Sequence, residues 1–142
     1  MKKSFKTFLS LLMVICLLST TAFAAGTDDG DYGVMPCFDH ISSVAVGLSI
    51  SLSGKSTCTT SITLYDSSHS ATVDMILYRY DGTTWEEVKN WVYSDDGPDI
   101  AVQKHWYVNS GYDYQVQSFV SVYDADGNLI EAMAGDSPVK SY

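Results

Sequence analysis

The chain has 142 residues, with 8 Lys+Arg against 17 Asp+Glu for a formal charge of −9, and it is 46% hydrophobic and 13% aromatic. That apolar content can fill the core of one small domain, which excludes a disordered chain, and the Gly, Cys and repeat content excludes collagen-like, disulfide-dense and coiled-coil classes. No constellation identifies a reaction, so the sequence bears on location and architecture before it bears on function.

Lys2, Lys3 and Lys6 precede an apolar block at 8–18 broken only by Ser10, and Ala22-Phe23-Ala24-Ala25 then offers the small side chains that a signal peptidase reads. The block is too short to span a bilayer comfortably. Residues 1–24 therefore read as a signal peptide cleaved after Ala24, which makes the product secreted and extracellular. Cys16 lacks the small residue expected before a lipidated cysteine, so no lipid anchor is expected. Cleavage removes three of the 8 positive charges and none of the 17 negative ones, leaving five against seventeen and a net of −12. A field of that sign repels phosphate backbones and anionic headgroups, which argues against nucleic acid and simple electrostatic membrane binding. The mature chain shows no second apolar span.

Residues 25–40 form an acidic lead-in, and the domain itself is read over 41–135, with 136–142 as a C-terminal tail. Val44, Val46, Leu48, Ile50 and Leu52 alternate with small and polar residues, the mark of a strand with one wet face. Ser53-Gly54-Lys55 turns the chain into a partner strand carrying Cys58, Thr60, Ile62 and Leu64. After a loop at 66–70, Val73, Met75 and Leu77 define a third strand, which ends at the Asp81-Gly82 turn. A fourth strand is placed at 84–93. There Trp85, Val88 and Trp91 lie three apart, which implies a bulge near Glu86-Glu87, a helical turn being the alternative. Gly97-Pro98 breaks the next loop, and a strand follows over 100–108. Asn109-Ser110-Gly111 then turns into a long strand with Tyr112, Tyr114, Val116, Ser118, Val120 and Val122 on one face, and 124–128 turns into a last strand at 129–134. About seven short strands at roughly ten-residue spacing predict an all-β fold, an antiparallel immunoglobulin-like β-sandwich in preference to a barrel.

Two resemblances add to this. Gly111-Tyr112-Asp113-Tyr114-Gln115-Val116 resembles the start of the sixth strand in immunoglobulin-like and fibronectin-type domains, which implies that Tyr114 ties down the preceding corner through its hydroxyl. The segments 41–50 and 53–58, the Trp85-x-x-Val88-x-x-Trp91 spacing and Ser110-Gly111-Tyr112 are similar to an uncharacterised family of short exported proteins from Gram-positive, clostridium-type bacteria. That resemblance covers most of 37–134. It implies secretion and source but assigns no functional residue.

If each strand crosses the domain once, successive turns alternate between two ends. Gly54, Gly82 and Ser110 then share one end. Asp39, Asp66, Asp95, Asp96, Asp99, Asp124 and Asp126 share the other, with His40 and His69 nearby. Asp96, Asp99, Asp124 and Asp126 are the candidate ligands for calcium, a hard cation that several loop carboxylates can hold; otherwise no cofactor is expected. The alternative reading makes them turn residues on a solvated surface. A Cys37–Cys58 disulfide is not expected, because the hairpin register places the two about 25 to 30 Å apart. A zinc set of Cys37, His40, His69 and His105 is weak in spacing, and His69 between Ser68 and Ser70 lacks any motif that positions a nucleophile. Tyr78, Tyr80, Tyr107 and Tyr123, with Phe119, fall on faces opposite the core and form the candidate binding patch. Trp85, Trp91 and Trp106 are assigned to the core. The expectation is a secreted, non-catalytic binding or interaction module for a protein or glycan, not an enzyme. The alternatives are a self-assembling or structural envelope protein, then an extracellular enzyme of unrecognised type.

Overall fold

A computed structural model describes residues 38–142. The segment expected to be a signal peptide, most of the expected acidic lead-in and Cys37 lie outside the described residues. Within them the period-two pattern becomes eight strands: β1 (Ile41–Ile50), β2 (Lys55–Leu64), β3 (Ser70–Tyr80), β4 (Trp85–Asp96), β5 (Asp99–Tyr107), β6 (Asp113–Tyr123), β7 (Leu129–Asp136) and β8 (Lys140–Ser141). They form a 3-stranded sheet, β1-β2-β5, and a 5-stranded sheet, β4-β3-β6-β7 with β8 on β6. All pairings are antiparallel. The sheets pack face to face as an immunoglobulin-like sandwich, the chain changing sheet after β2, β4 and β5.

Alternation explains the core. Val73, Met75 and Leu77 of β3 and Val116, Val120 and Val122 of β6 bury their side chains in one cluster with Cys58, Ile62 and Leu64 of β2 and Ile100 and Val102 of β5. Leu52, expected on this face, is instead 101% exposed. β1 stops at Ile50, and the turn closed by the Gly54 N–H on the Ser51 carbonyl lifts Leu52 out of the sheet. Gly54 is required there, with φ 79° and an added Cβ falling 2.7 Å from the Val108 carbonyl oxygen.

β4 is a strand, and its three-residue spacing is a bulge. Leu77 pairs with Lys89 while Tyr78 pairs with Glu87, so Val88 is the extra residue. Beyond the bulge the phase of alternation changes. Trp91 stays half-buried against the core, but Trp85 faces outward, 42% exposed. Trp106, at the end of the edge strand β5, is 40% exposed with the Lys89 ammonium 4.9 Å from its ring centroid. The core assignment therefore holds for Trp91 and fails for Trp85 and Trp106.

Residues 136–142, expected as a tail, complete the sandwich. Asp136 ends β7, Ser137 is buried against Val116, and β8 pairs with Asp113 and Tyr114. Tyr142 then bridges two turns: its N–H donates to the Tyr112 carbonyl and its hydroxyl to the Leu52 carbonyl. Further along the same edge, towards the opposite end of the sheet, the Glu131 carboxylate accepts the backbone N–H groups of Asp39, His40 and Ile41, fastening the start of β1 to β7.

The turns do alternate between ends. At one end the Leu64 N–H meets the Pro98 carbonyl, the Gly97 N–H meets the His69 carbonyl, and the Tyr65 N–H meets the His40 carbonyl. At the other, the Val108 N–H meets the Gly54 carbonyl, and Gly111 meets Tyr142.

Candidate functional site

The outer face of the 5-stranded sheet carries the most suggestive group. Because β3 sends Val73, Met75 and Leu77 inward, Tyr78 and Tyr80 point out, and the Val88 bulge sets Trp85 directly opposite Tyr80. Their rings lie 5.2 Å apart at 34°. Likewise β6 buries Tyr114, Val116 and Ser118, so Gln115 and Gln117 face outward, with Asp136 of β7 opposite Gln117. Tyr78, Trp85, Gln115, Gln117 and Asp136 line an open depression of about 200 Å³. Gln117 Nε2 donates to Asp136 Oδ1 at 3.0 Å and Gln115 Nε2 to the Ser137 carbonyl at 3.0 Å. Both amide planes are thereby fixed, and each retains a carbonyl acceptor and a second N–H for another molecule.

A second open depression, of about 450 Å³, lies at the end of the same sheet and includes Tyr80, Tyr112, Tyr142, Asp81 and Asp113 in its lining. Asp81 Oδ1 accepts the N–H groups of Thr83 and Thr84, and these bonds, that from Thr84 first, hold the carboxyl below the usual range. Asp113 Oδ1 accepts the Ser141 hydroxyl at 2.6 Å. The Arg79 guanidinium covers Tyr112 at 4.6 Å and donates to Glu86 at 2.8 Å. Tyr80 lines this depression while it packs on Trp85 of the other, so one ring joins the two.

The four candidate tyrosines do not form one patch. Tyr78 and Tyr80 come together, but Tyr107 lies on the 3-stranded sheet, 71% exposed. Tyr123 sits opposite Ser70 whereas Tyr80 sits opposite Asp113, which puts the two tyrosines ten residues, roughly 33 Å, apart along the sheet. Phe119 shares the outer face further along β6, opposite Asp74. Sequence reasoning missed Trp85, Gln115, Gln117 and Asp136. The outward parity of both glutamines was a usable signal.

The acidic end resolves into self-capped turns. Asp124 Oδ1 accepts the N–H groups of Asp126 and Asn128, and both its oxygens contact the Asn128 amide, which chiefly keeps its carboxyl acidic. Asp66 accepts the N–H and hydroxyl of Ser68 and is likewise shifted down. Among the described residues no three His, Cys, Asp or Glu side chains cluster as a metal site would need. Asp96, Asp99, Asp124 and Asp126, the expected calcium ligands, are not gathered into one such cluster: Asp124 caps its own turn, and Asp99 Oδ1 accepts the Thr63 hydroxyl at 3.2 Å across the pairing of β2 with β5. His40 and His69 meet edge to face at 5.2 Å, His69 Nε2 lies 3.9 Å from Asp66, and His105 is elsewhere, on β5 beside Thr57. The proposed zinc set is not assembled among them.

Tyr114, 1% exposed, donates its hydroxyl to the Asn109 carbonyl at 2.7 Å and ties the β5–β6 connection to the sheet. Its own pKa is raised, mainly by burial. Cys58 is buried in the core, where no other described cysteine meets it, and burial pushes its thiol pKa up to about 11. The Cys37–Cys58 question involves a residue outside the described ones.

No protein-family model matches the chain, and no curated protein matches it. Among the described residues no helix is long and apolar enough to cross a membrane.

Proposed function

We propose that the protein is a secreted, non-catalytic glycan-binding module that uses the outer face of its 5-stranded sheet. The observation that carries this reading is the placing of Tyr78, Tyr80 and Trp85 beside the oriented amides of Gln115 and Gln117 and the carboxylate of Asp136. A sugar ring has an apolar C–H face and an equatorial fringe of hydroxyls. The exposed Trp85 ring beside the half-buried rings of Tyr78 and Tyr80 suits the first, and fixed amide and carboxylate groups suit the second. The N-terminal lysines, apolar block and Ala-x-Ala support export to where glycans are met. Among the described residues lining the depression Asp136 is the sole carboxylate, whereas glycoside hydrolysis generally employs a pair, which favours binding over cleavage.

Titration calorimetry against a panel of soluble neutral glycans tests the proposal. At least one should bind, and Trp85→Ala should weaken that binding by about tenfold, the order of a lost stacking contact. Because Trp85 lies outside the core, the variant should keep the parent's cooperative thermal transition. A panel in which nothing binds, or a variant that binds like the parent, would refute the reading.

A further inference from the structure

From the way Tyr80 joins the face to the depression at its end, we infer that the protein selects glycans carrying free, positively charged amino groups, with the sugar face on Trp85 and an ammonium group in the depression bounded by Tyr80, Tyr112 and Tyr142. This rests on the glycan reading above and deepens it. The end depression differs chemically from the face. Three tyrosines and the carboxylates of Asp81 and Asp113 bound it, and the neighbouring guanidinium of Arg79 is already paired with Glu86 and stacked on Tyr112. Aromatic walls with carboxylates are the surroundings a cation seeks once it leaves water, and the chain's charge of −9 draws cations towards it. At about 450 Å³ the space exceeds what one ammonium group fills and accommodates a whole sugar unit. Because Tyr80 borders the depression and packs 5.2 Å from Trp85, successive units of one chain can occupy both places. A ligand that alternates apolar ring faces with amines satisfies both depressions. A neutral glycan satisfies only the face, and a simple diamine only the end.

The test compares glucosamine oligomers with their fully N-acetylated counterparts of equal length, at about pH 6 where the free amine holds its proton. The free-amine oligomer should bind at least about tenfold tighter, the order of one charge-assisted hydrogen bond. Asp81→Asn with Asp113→Asn keeps the side-chain oxygens that cap Thr83, Thr84 and Ser141 while removing both charges. It should erase that preference and leave neutral-glycan binding within about twofold. Trp85→Ala should weaken both oligomers. If the oligomers bind equally, if only neutral glycans bind, or if the double variant keeps the preference, the amine selection is wrong while the glycan reading stands. Free-amine binding that survives both Trp85→Ala and the double variant is bulk attraction of a polycation to an acidic protein and overturns the inference. If neither oligomer nor any neutral glycan binds, both proposals fall together.

Discussion

Thr60 and Ser118 place two hydroxyls 2.7 Å apart in the middle of the sandwich, where the residues are 1% and 0% exposed. They belong to β2 and β6, the pair of strands that antibody domains join by a disulfide, and here a hydrogen bond makes the connection between sheets. Each hydroxyl is tolerable in an apolar layer because the other satisfies it. Thr60→Val, which keeps the shape, strands the Ser118 hydroxyl and should destabilise the fold by about 1–3 kcal/mol, as should Ser118→Ala. The double variant leaves nothing unpaired, so it should be clearly more stable than the sum of the two losses. Urea unfolding of the four proteins gives the cycle, and simple additivity would mean the hydroxyls do not depend on each other.

Ser137 shows the same logic at the level of an element. Pro138 cannot donate to a ladder, so β7 ends at Asp136 and pairing with β6 resumes only at Lys140. Ser137 fills the gap: its hydroxyl accepts the Val116 N–H at 2.9 Å and its own N–H donates to the Val116 carbonyl at 2.8 Å. Ser137→Ala should therefore orphan a buried N–H and cost about 1–3 kcal/mol in equilibrium denaturation, whereas a loss within error would mean that water replaces the hydroxyl. This element also marks where the sequence stops being readable. Strands with one dry face, such as β2 and β6, announce themselves by alternation, and strand parity correctly sends Asp66 and Asp124 to one end. A two-residue β8 carries no period. Trp85 was assigned to the wrong side because an inserted residue, Val88, resets the phase of alternation, and the strand alone does not say where the reset occurs. Gln115 and Gln117 were legible as outward-facing but not as part of a site. Their meaning depends on Asp136 and Ser137, brought beside them by a pairing between segments about twenty residues apart.

Across the whole molecule, charge acts in two opposing ways. Asp66, Asp81, Asp95 and Asp124 are all held below the usual carboxyl range: Asp66 mainly by the Ser68 N–H, Asp81 by the Thr84 N–H, Asp95 by the Tyr93 hydroxyl and Asp124 by the Asn128 amide. A carboxyl whose folded pKa is depressed binds protons more readily when unfolded. Its stabilisation is present above the unfolded value, about 4, and is lost as pH falls through the lower folded one. Against this, the net charge of −9 repels itself at neutral pH, and partial protonation on the way down relieves that repulsion. Because the four groups are exposed, each contributes little, and the balance changes sign only once they begin to titrate. Calorimetry should find a melting temperature that is level or slightly rising from about pH 7 to 5 and then falls below about pH 4. Added salt should raise the neutral-pH value by screening the repulsion. Asp66→Asn combined with Asp124→Asn removes two of the depressed groups and should make the acid limb shallower. A melting temperature that keeps climbing to pH 3 would mean that self-repulsion outweighs the capped turns, and that the acidic end is tolerated by the fold without helping to hold it.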